Sequence, residues 1–293
     1  MRRIPRSPTL NRLSIILPAK NEGPALADLL PRLRAAYPAA EIIVVDDGST
    51  DDTRRICAEA DVACLSSPYS MGNGAAIKRG ARAAGGEVLV FMDGDGQHDP
   101  ASIARLLTKL DEGYDMVVGA RDWSSQAGVG RGVANTFYNW LATQMTGHPV
   151  ADLTSGFRAV RADKFREFLY LLPNGFSYPT TSTMAFFRSA YPVTYVPIKA
   201  AQRVGKSHIK PLKDGIRFLL IIFKIATLYS PLKLFAPTSG LFFLFGCVNY
   251  VWTFIHEGRL TNGSTLMWSA AVIVFLIGLI SEQITSLTYR RDA

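Results

Sequence analysis

The sequence predicts an α/β fold: a mostly parallel sheet with helices on both faces, followed by interfacial amphipathic helices and two C-terminal transmembrane helices. Three observations predict it. Short β-branched runs alternate with helical patterns from Leu13 onward, the last fifth of the 293 residues is far more apolar than the rest, and a basic stretch stands directly before the apolar part.

The first twelve residues, Met1 to Arg12, are basic and lack the apolar core of a signal peptide, so the domain that follows is expected to stay cytoplasmic. Leu13–Leu17, Glu41–Val45 and Glu87–Met92 read as buried strands, with helices over Glu22–Ala36, Asp51–Ala60 and Asn73–Ala84. That alternation gives a parallel sheet covered on both faces. A second stretch adds a helix to about Asp111, a strand near Met116–Gly119 and a longer helix from about Gly132. It is less regular, as suits a part that admits a second substrate. The domain is read as 13–210, with halves 13–100 and 101–210.

Segment 211–235 is apolar but interrupted by Lys224, Ser230-Pro231 and Lys233, which predicts helices lying in a membrane interface rather than crossing it. Stretches 237–256 and 266–288 each approach the ~20 residues a membrane helix needs. Ser281-Glu282-Gln283 interrupts the second, and Glu282 is read as an interfacial or subunit-contact residue.

The formal charge of +8 suits nucleic acid, an acidic membrane surface or a phosphorylated substrate. Position decides among them. Eight Lys or Arg and one acid, Asp214, lie between Lys199 and Lys233, beside the apolar run. This reads as the lipid-headgroup side, with no nucleic-acid partner, and places the soluble domain and the C-terminus on the cytoplasmic face of the inner cell membrane. Cys57, Cys64 and Cys247 show no metal-ligand spacing and read as reduced thiols.

Ligands of parallel sheets bind beyond the carboxyl ends of the strands. Those ends carry Pro18-Ala19-Lys20-Asn21-Glu22, Asp46-Asp47-Gly48-Ser49 and Asp93-Gly94-Asp95-Gly96-Gln97. Asp93 and Asp95, on a glycine turn, can jointly hold Mg²⁺ or Mn²⁺, hard ions that share a substrate diphosphate and neutralise charge on a leaving group. His98 is read as a structural residue behind them. Of the pair Asp46-Asp47, one acid can accept from a nucleobase or ribose, while Ser49 or Thr50 is expected to cap the next helix. Gly72-Asn73-Gly74 fits phosphate proximity and plain turn geometry equally. The first turn, Pro18 to Gly23, lacks the Gly-x-Gly-x-x-Gly fingerprint, which disfavours nicotinamide enzymes.

Ser14–Glu22, Val44–Thr50 and Phe91–Pro100 resemble, in order and spacing, glycosyltransferase family 2, and within it the dolichol-phosphate mannosyltransferase and bacterial polyprenyl-phosphate glycosyltransferase branch. The resemblance covers about 13–210. It implies a GT-A fold, an inverting transfer and a nucleotide-sugar pocket formed by Pro18, Ala19, Asn21, Glu22, Asp46, Asp47, Gly72, Asp93 and Gly94. By the same resemblance Asp93, Asp95 and Gln97 bind metal and diphosphate, and Arg121, Arg131, Arg203, Lys206 and Ser207 lie near the acceptor phosphate. Asp152, ahead of Leu153–Arg158, joins Asp93, Asp95 and Arg121 as a catalytic candidate. The implied reaction moves one sugar from a UDP- or GDP-sugar to undecaprenyl or dolichyl phosphate, and a homo-oligomer stays open.

The chemistry favours a phosphate acceptor independently. A sugar hydroxyl needs a general base, whereas a phosphate monoester is already anionic at neutral pH. The protein must then hold two anions together, which metal and Arg or Lys clamps do. The alternatives are another membrane lipid or glycan acceptor, for which a base such as Asp152 would be essential, and a non-catalytic nucleotide-sugar-binding scaffold.

Overall fold

In the computed structural model the described residues are 12–121, 129–175, 177–198, 220, 223, 224, 227 and 229–289, with 129–134, 288 and 289 described by their backbone. The chain divides into two units, Met1–Gln144 with His148–Gly215, and Met145–Gly147 with Ile216–Ala293.

The first unit is built on β1 (Leu13–Ala19), β2 (Glu41–Asp46), β3 (Ala63–Ser66), β4 (Val88–Phe91), β5 (Met116–Arg121), β6 (Arg158–Arg161) and β7 (Val193–Ile198). They form one sheet in the order β3-β2-β1-β4-β6-β5-β7. β1 pairs in parallel with β2 and β4, β2 with β3, and β5 with β7, whereas β6 runs antiparallel to both β4 and β5. β1 and β4 are buried on both faces, which is why they are continuous apolar runs rather than alternating ones.

The expected helices form as α1 (Gly23–Ala36), α2 (Thr53–Glu59), α3 (Asn73–Ala83), α4 (Ser102–Asp111) and α5 (Val129–Thr146); α6 (Ala162–Arg166) and α7 (Tyr178–Arg188) were not delimited by periodicity. α4 buries Ile103, Leu106, Leu107 and Leu110, spaced i, i+3, i+4 and i+7, against the sheet. Each such side chain contributes on the order of 1.5–3 kcal/mol. In α1, Leu26, Leu29, Leu30 and Leu33 do the same for the core that includes Ile15, Leu17 and Val44.

Strand order reverses at β1, which has β2 on one side and β4 on the other, so its carboxyl end opens a crevice. The carbonyls at that end hold both walls. Ala19 accepts from Asp47 N–H at 2.9 Å, and Pro18 accepts from Gly94 N–H at 3.2 Å. Gly94 eases this approach, because a Cβ there would stand 3.2 Å from the Pro18 carbonyl oxygen and 3.3 Å from the Ala19 methyl, tighter than ordinary contact.

The second unit contains α8 (Leu232–Glu257) and α9 (Asn262–Tyr289), of 26 and 28 residues. At 1.5 Å per residue these span roughly 39 and 42 Å, beyond the ~30 Å of a bilayer's hydrocarbon core. Their most apolar stretches have mean hydropathy of 1.5 and 2.1, long and apolar enough to cross a membrane. Ser239 Oγ donates to the Ala271 carbonyl at 2.8 Å, and Asn249 Oδ1 accepts from Ser264 Oγ at 2.8 Å and Thr261 Oγ at 3.2 Å, so polar groups tie one helix to the other.

α8 begins at Leu232, so 232–235, read from the sequence as the end of an interfacial segment, forms its first turn. Pro237 lies inside α8, near enough to its start to forfeit one backbone donor without ending it. The remainder of 211–235 falls largely outside the described residues. Glu282 makes an intrachain contact: Oε2 accepts from Ser230 Oγ at 2.8 Å and from Leu232 N–H at 3.2 Å. An acid in an apolar helix thus meets the positive N-terminal end of its neighbour, which rationalises its presence there.

Candidate active site

Three loops at the carboxyl ends of β1, β2 and β4 form the site, and they are stitched to one another. Asn21, at φ 56°, accepts from Thr50 N–H through Oδ1 at 2.8 Å and donates its own N–H to Ser49 Oγ at 2.9 Å. Glu22 N–H reaches Thr53 Oγ at 3.3 Å. Asp51 accepts from Gly23 N–H at 2.9 Å and Thr53 N–H at 3.1 Å, serving the starts of α1 and α2 at once. This corrects the capping expectation. α2 starts at Thr53, Ser49 and Thr50 face the β1 loop, and Asp51 takes the orphan donors because it lies between the two helix ends.

The consecutive acids have separate partners. Asp46 is fully buried and accepts from Ser49 N–H at 2.7 Å and Arg54 Nε at 2.6 Å. Burial disfavours its charge, but these bonds outweigh burial and hold the carboxyl below its ordinary value. Asp47 accepts from Ser70 Oγ at 2.6 Å, Met71 N–H at 2.6 Å and Gly72 N–H at 2.9 Å. Its carboxylate therefore shapes the 70–72 turn that borders the crevice. Past Gly72, the N–H groups of Gly74 and Ala75 point to the carbonyls of Gly175 and Asn174, at 3.2 and 2.8 Å. Of the two readings open for this turn, geometry accounts for those donors.

On the β4 side, Asp95 Oδ1 accepts from Gln97 N–H at 3.1 Å, folding the acidic turn back on itself. Asp93 lies over Gly156, where a Cβ would stand 3.2 Å from Asp93 Oδ2. Among the described residues no three His, Cys, Asp or Glu gather as a metal cage. Two carboxylates and the Gln97 amide, the candidates on this turn, would offer hard oxygen ligands. Such a set fits Mg²⁺ or Mn²⁺ sharing its coordination with a diphosphate.

Behind the acids, His98 is 7 % exposed and stacks on Phe157, with ring centroids 4.8 Å apart. Burial pushes its imidazole down to about 4, against the opposing charge of Asp95. It is neutral at physiological pH and unsuited to proton transfer there. Between 6.5 and about 4 the unfolded chain binds a proton that the folded chain refuses, so stability falls as the pH drops through that window. From pH 7 to 4.5 the loss attributable to His98 is on the order of 2 kcal/mol. Denaturant unfolding at both pH values should show this loss in the parent chain and not in His98→Phe, which keeps the stack; equal losses would refute it.

Arg121, at the end of β5, pairs with Asp152: Nε to Oδ2 at 2.8 Å, Nη2 to Oδ1 at 3.0 Å, and the backbone N–H to Oδ2 at 3.2 Å. Nη2 also donates to Thr154 Oγ at 2.7 Å. Burial disfavours both charges, but the mutual hydrogen bonds and attraction outweigh it, raising the Arg121 pKa and lowering that of Asp152. Asp93 adds to the field on Arg121. The candidates Asp93, Asp95, Arg121 and Asp152 thus share one neighbourhood. Sequence reasoning did not pair Arg121 with Asp152, and it passed over Thr154, Arg158 and Tyr178. The polar residues of the Thr154–Arg158 segment were the available signal. Of the other acceptor-phosphate candidates, Arg131 is described only as a backbone position in α5, and Arg203, Lys206 and Ser207 lie outside the described residues.

Comparison with known proteins adds two family matches, "Glycosyl transferase family 2" over residues 14–169 and "GtrB C-terminal hairpin" over residues 230–287. The chain is 34% identical over 164 residues to the undecaprenyl-phosphate 4-deoxy-4-formamido-L-arabinose transferase of Klebsiella pneumoniae, covering 53% of this chain and 50% of the relative. The match thus spans about half of that relative's length. It is 30% identical to the polyprenol monophosphomannose synthase of Mycolicibacterium smegmatis, covering 73% of this chain and 86% of the relative. The undecaprenyl-phosphate mannosyltransferase of Micrococcus luteus is 31% identical, with coverage of 67% and 86%. In fold, the chain resembles the Mycobacterium tuberculosis glucosyl-3-phosphoglycerate synthase crystallised with Mn²⁺ and UDP, with a TM-score of 0.58, 20% identity and coverage of 73% and 80%.

Proposed function

The chain belongs to glycosyl transferase family 2, and from that premise we propose that it moves one sugar from a UDP- or GDP-sugar to a polyprenyl phosphate at the cytoplasmic membrane face. The observation that carries this reading is the crevice itself. Asp93 and Asp95, past the carboxyl end of β4, lie close to the Arg121–Asp152 pair, and the same chain carries two helices long enough to cross a membrane. The relatives' names, each with a polyprenyl-linked acceptor, support it.

In the proposed reaction a phosphate oxygen of the lipid attacks the anomeric carbon, the bond from that carbon to the nucleoside diphosphate breaks, and the configuration inverts. Mg²⁺ or Mn²⁺, held by Asp93, Asp95 and the Gln97 amide, would neutralise charge on the departing diphosphate. The β1 and β2 loops hold the nucleoside, with Asp46 and Asp47 fixing the walls. Arg121, oriented by Asp152 and Thr154, offers its remaining donor capacity to an anion near Asp93. The nucleophile is already anionic, so no residue need remove a proton, and a neutral His98 is consistent with that.

The test is transfer from labelled UDP- and GDP-sugars to undecaprenyl phosphate by the full chain in detergent, with Mn²⁺ or with chelator. A lipid-extractable product that chelator suppresses is expected. Donor binding with no such product would overturn the reading in favour of another acceptor.

A further inference from the structure

Arg158 opens β6 and is 0 % exposed, a fully buried guanidinium. Among the described residues no carboxylate touches it. Nη1 donates to the Pro179 carbonyl at 3.1 Å, Ser182 Oγ at 2.7 Å and Thr183 Oγ at 3.2 Å, and Nη2 donates to the Ser155 carbonyl. Nε has no hydrogen-bond partner. A buried cation served by neutral oxygens costs more than a methionine of similar length would, so side-chain packing alone does not account for it.

Its surroundings point to a task. The oxygens it binds belong to the first turns of α7 and to the chain just before β6, so Arg158 ties these two segments together. The tie holds Tyr178, whose ring lies 5.7 Å from the guanidinium carbon and whose hydroxyl donates to the Gly156 carbonyl at 3.0 Å. Gly156 in turn backs the Asp93 carboxylate, and a Cβ there would sit 3.2 Å from both Asp93 Oδ2 and the Tyr178 hydroxyl. β6 pairs directly with β4, Arg158 opposite Phe91, two residues before Asp93. Besides the partly exposed Arg121, paired with Asp152, Arg158 is a fully buried cation whose field reaches Asp93.

We propose that Arg158 is a positioning residue: by joining β6 to α7 it holds the Gly156–Tyr178 wall that fixes Asp93 for metal and diphosphate. This rests on the proposed sugar transfer for its catalytic consequence, though not for its effect on metal binding. Arg158→Met keeps the length and removes the fork, and Arg158→Lys keeps the charge but gathers its donors on one nitrogen.

The experiment uses the full chain in detergent. Binding of Mn²⁺ alone is followed by the EPR signal of the free ion, and kcat and donor KM are measured where the parent chain transfers sugar. Arg158→Met is expected to fold, to bind Mn²⁺ roughly 10- to 100-fold more weakly, and to lose kcat by a similar factor with donor KM little changed. Arg158→Lys should recover part of both losses. Parent-like Mn²⁺ binding and kcat in folded Arg158→Met would overturn the proposal. Should Arg158→Met not fold, Arg158→Lys decides: weakened Mn²⁺ binding in the folded variant supports the role, and parent values refute it. A parent chain that transfers no sugar would refute the proposed function, while the Mn²⁺ comparison would still decide for or against Arg158.

Discussion

Asp95→Ala is expected to lower sugar transfer by about a thousandfold or more while leaving the fold intact. Its carboxylate lies outside the hydrophobic core, and its hydrogen bond within the described site is the local one from Gln97 N–H. Removing it therefore takes little from packing. The chemical loss is large because Asp93 is then left as the single carboxylate to bring a cation to the departing diphosphate, and Asp46 and Asp47 are committed to Arg54 and to the 70–72 turn. Circular dichroism and denaturant midpoint check the fold, and the lipid-extractable product checks the chemistry. Full turnover in a folded Asp95→Ala chain would remove the metal assignment.

The second large effect concerns Asp152. If the carboxylate positions Arg121, Asp152→Asn keeps one oxygen for the guanidinium and for Thr154, and transfer should fall roughly 10- to 100-fold, mostly in the KM for lipid phosphate. The pH dependence of kcat should keep its shape. Asp152→Ala leaves the partly exposed Arg121 without its buried partner, which costs stability, by less than breaking a fully buried pair does. A general base would behave differently. Loss of its carboxylate would lower kcat by far more and erase the acidic limb of the pH profile. The two readings of Asp152 thus separate on kcat against KM, and on pH.

The parts of the fold legible in the sequence are those fixed by local pattern. β1, β2 and β4 are buried on both faces and so appear as uninterrupted apolar runs, and α1 and α4 carry leucines or isoleucine at helical spacing. Three motifs at strand ends located the crevice, because a parallel sheet brings its carboxyl ends together whatever the intervening helices contain. β3, Ala63–Ser66, is short and half-buried, and β6, Arg158–Arg161, begins and ends on arginine, so neither looks like a strand by composition. β6 owes its place to pairing on both sides, which is a tertiary fact.

Within the site the same division holds. The glycine turn around Asp93 and Asp95 is local and readable. The partner of Arg121 lies 31 residues away, and the partners of Asp47 are a hydroxyl 23 and backbone donors 24 and 25 residues on; no local rule links them. Ser49 looked like a helix cap because a serine before a helical pattern usually is one. Asp51 took that place because it can serve two helices. Glu282 was visible as an anomaly, but its partner at the start of α8 was not.

The central claim is that the acceptor is a lipid phosphate whose own charge replaces a catalytic base. It is tested most directly by offering undecaprenyl phosphate and the neutral alcohol undecaprenol side by side to the full chain, with the donor that supports turnover. The account predicts label in the phosphate-linked product alone, with a rate that is level above the second phosphate pKa of about 6. Comparable transfer to undecaprenol would contradict it, and would return Asp152 to the role of base.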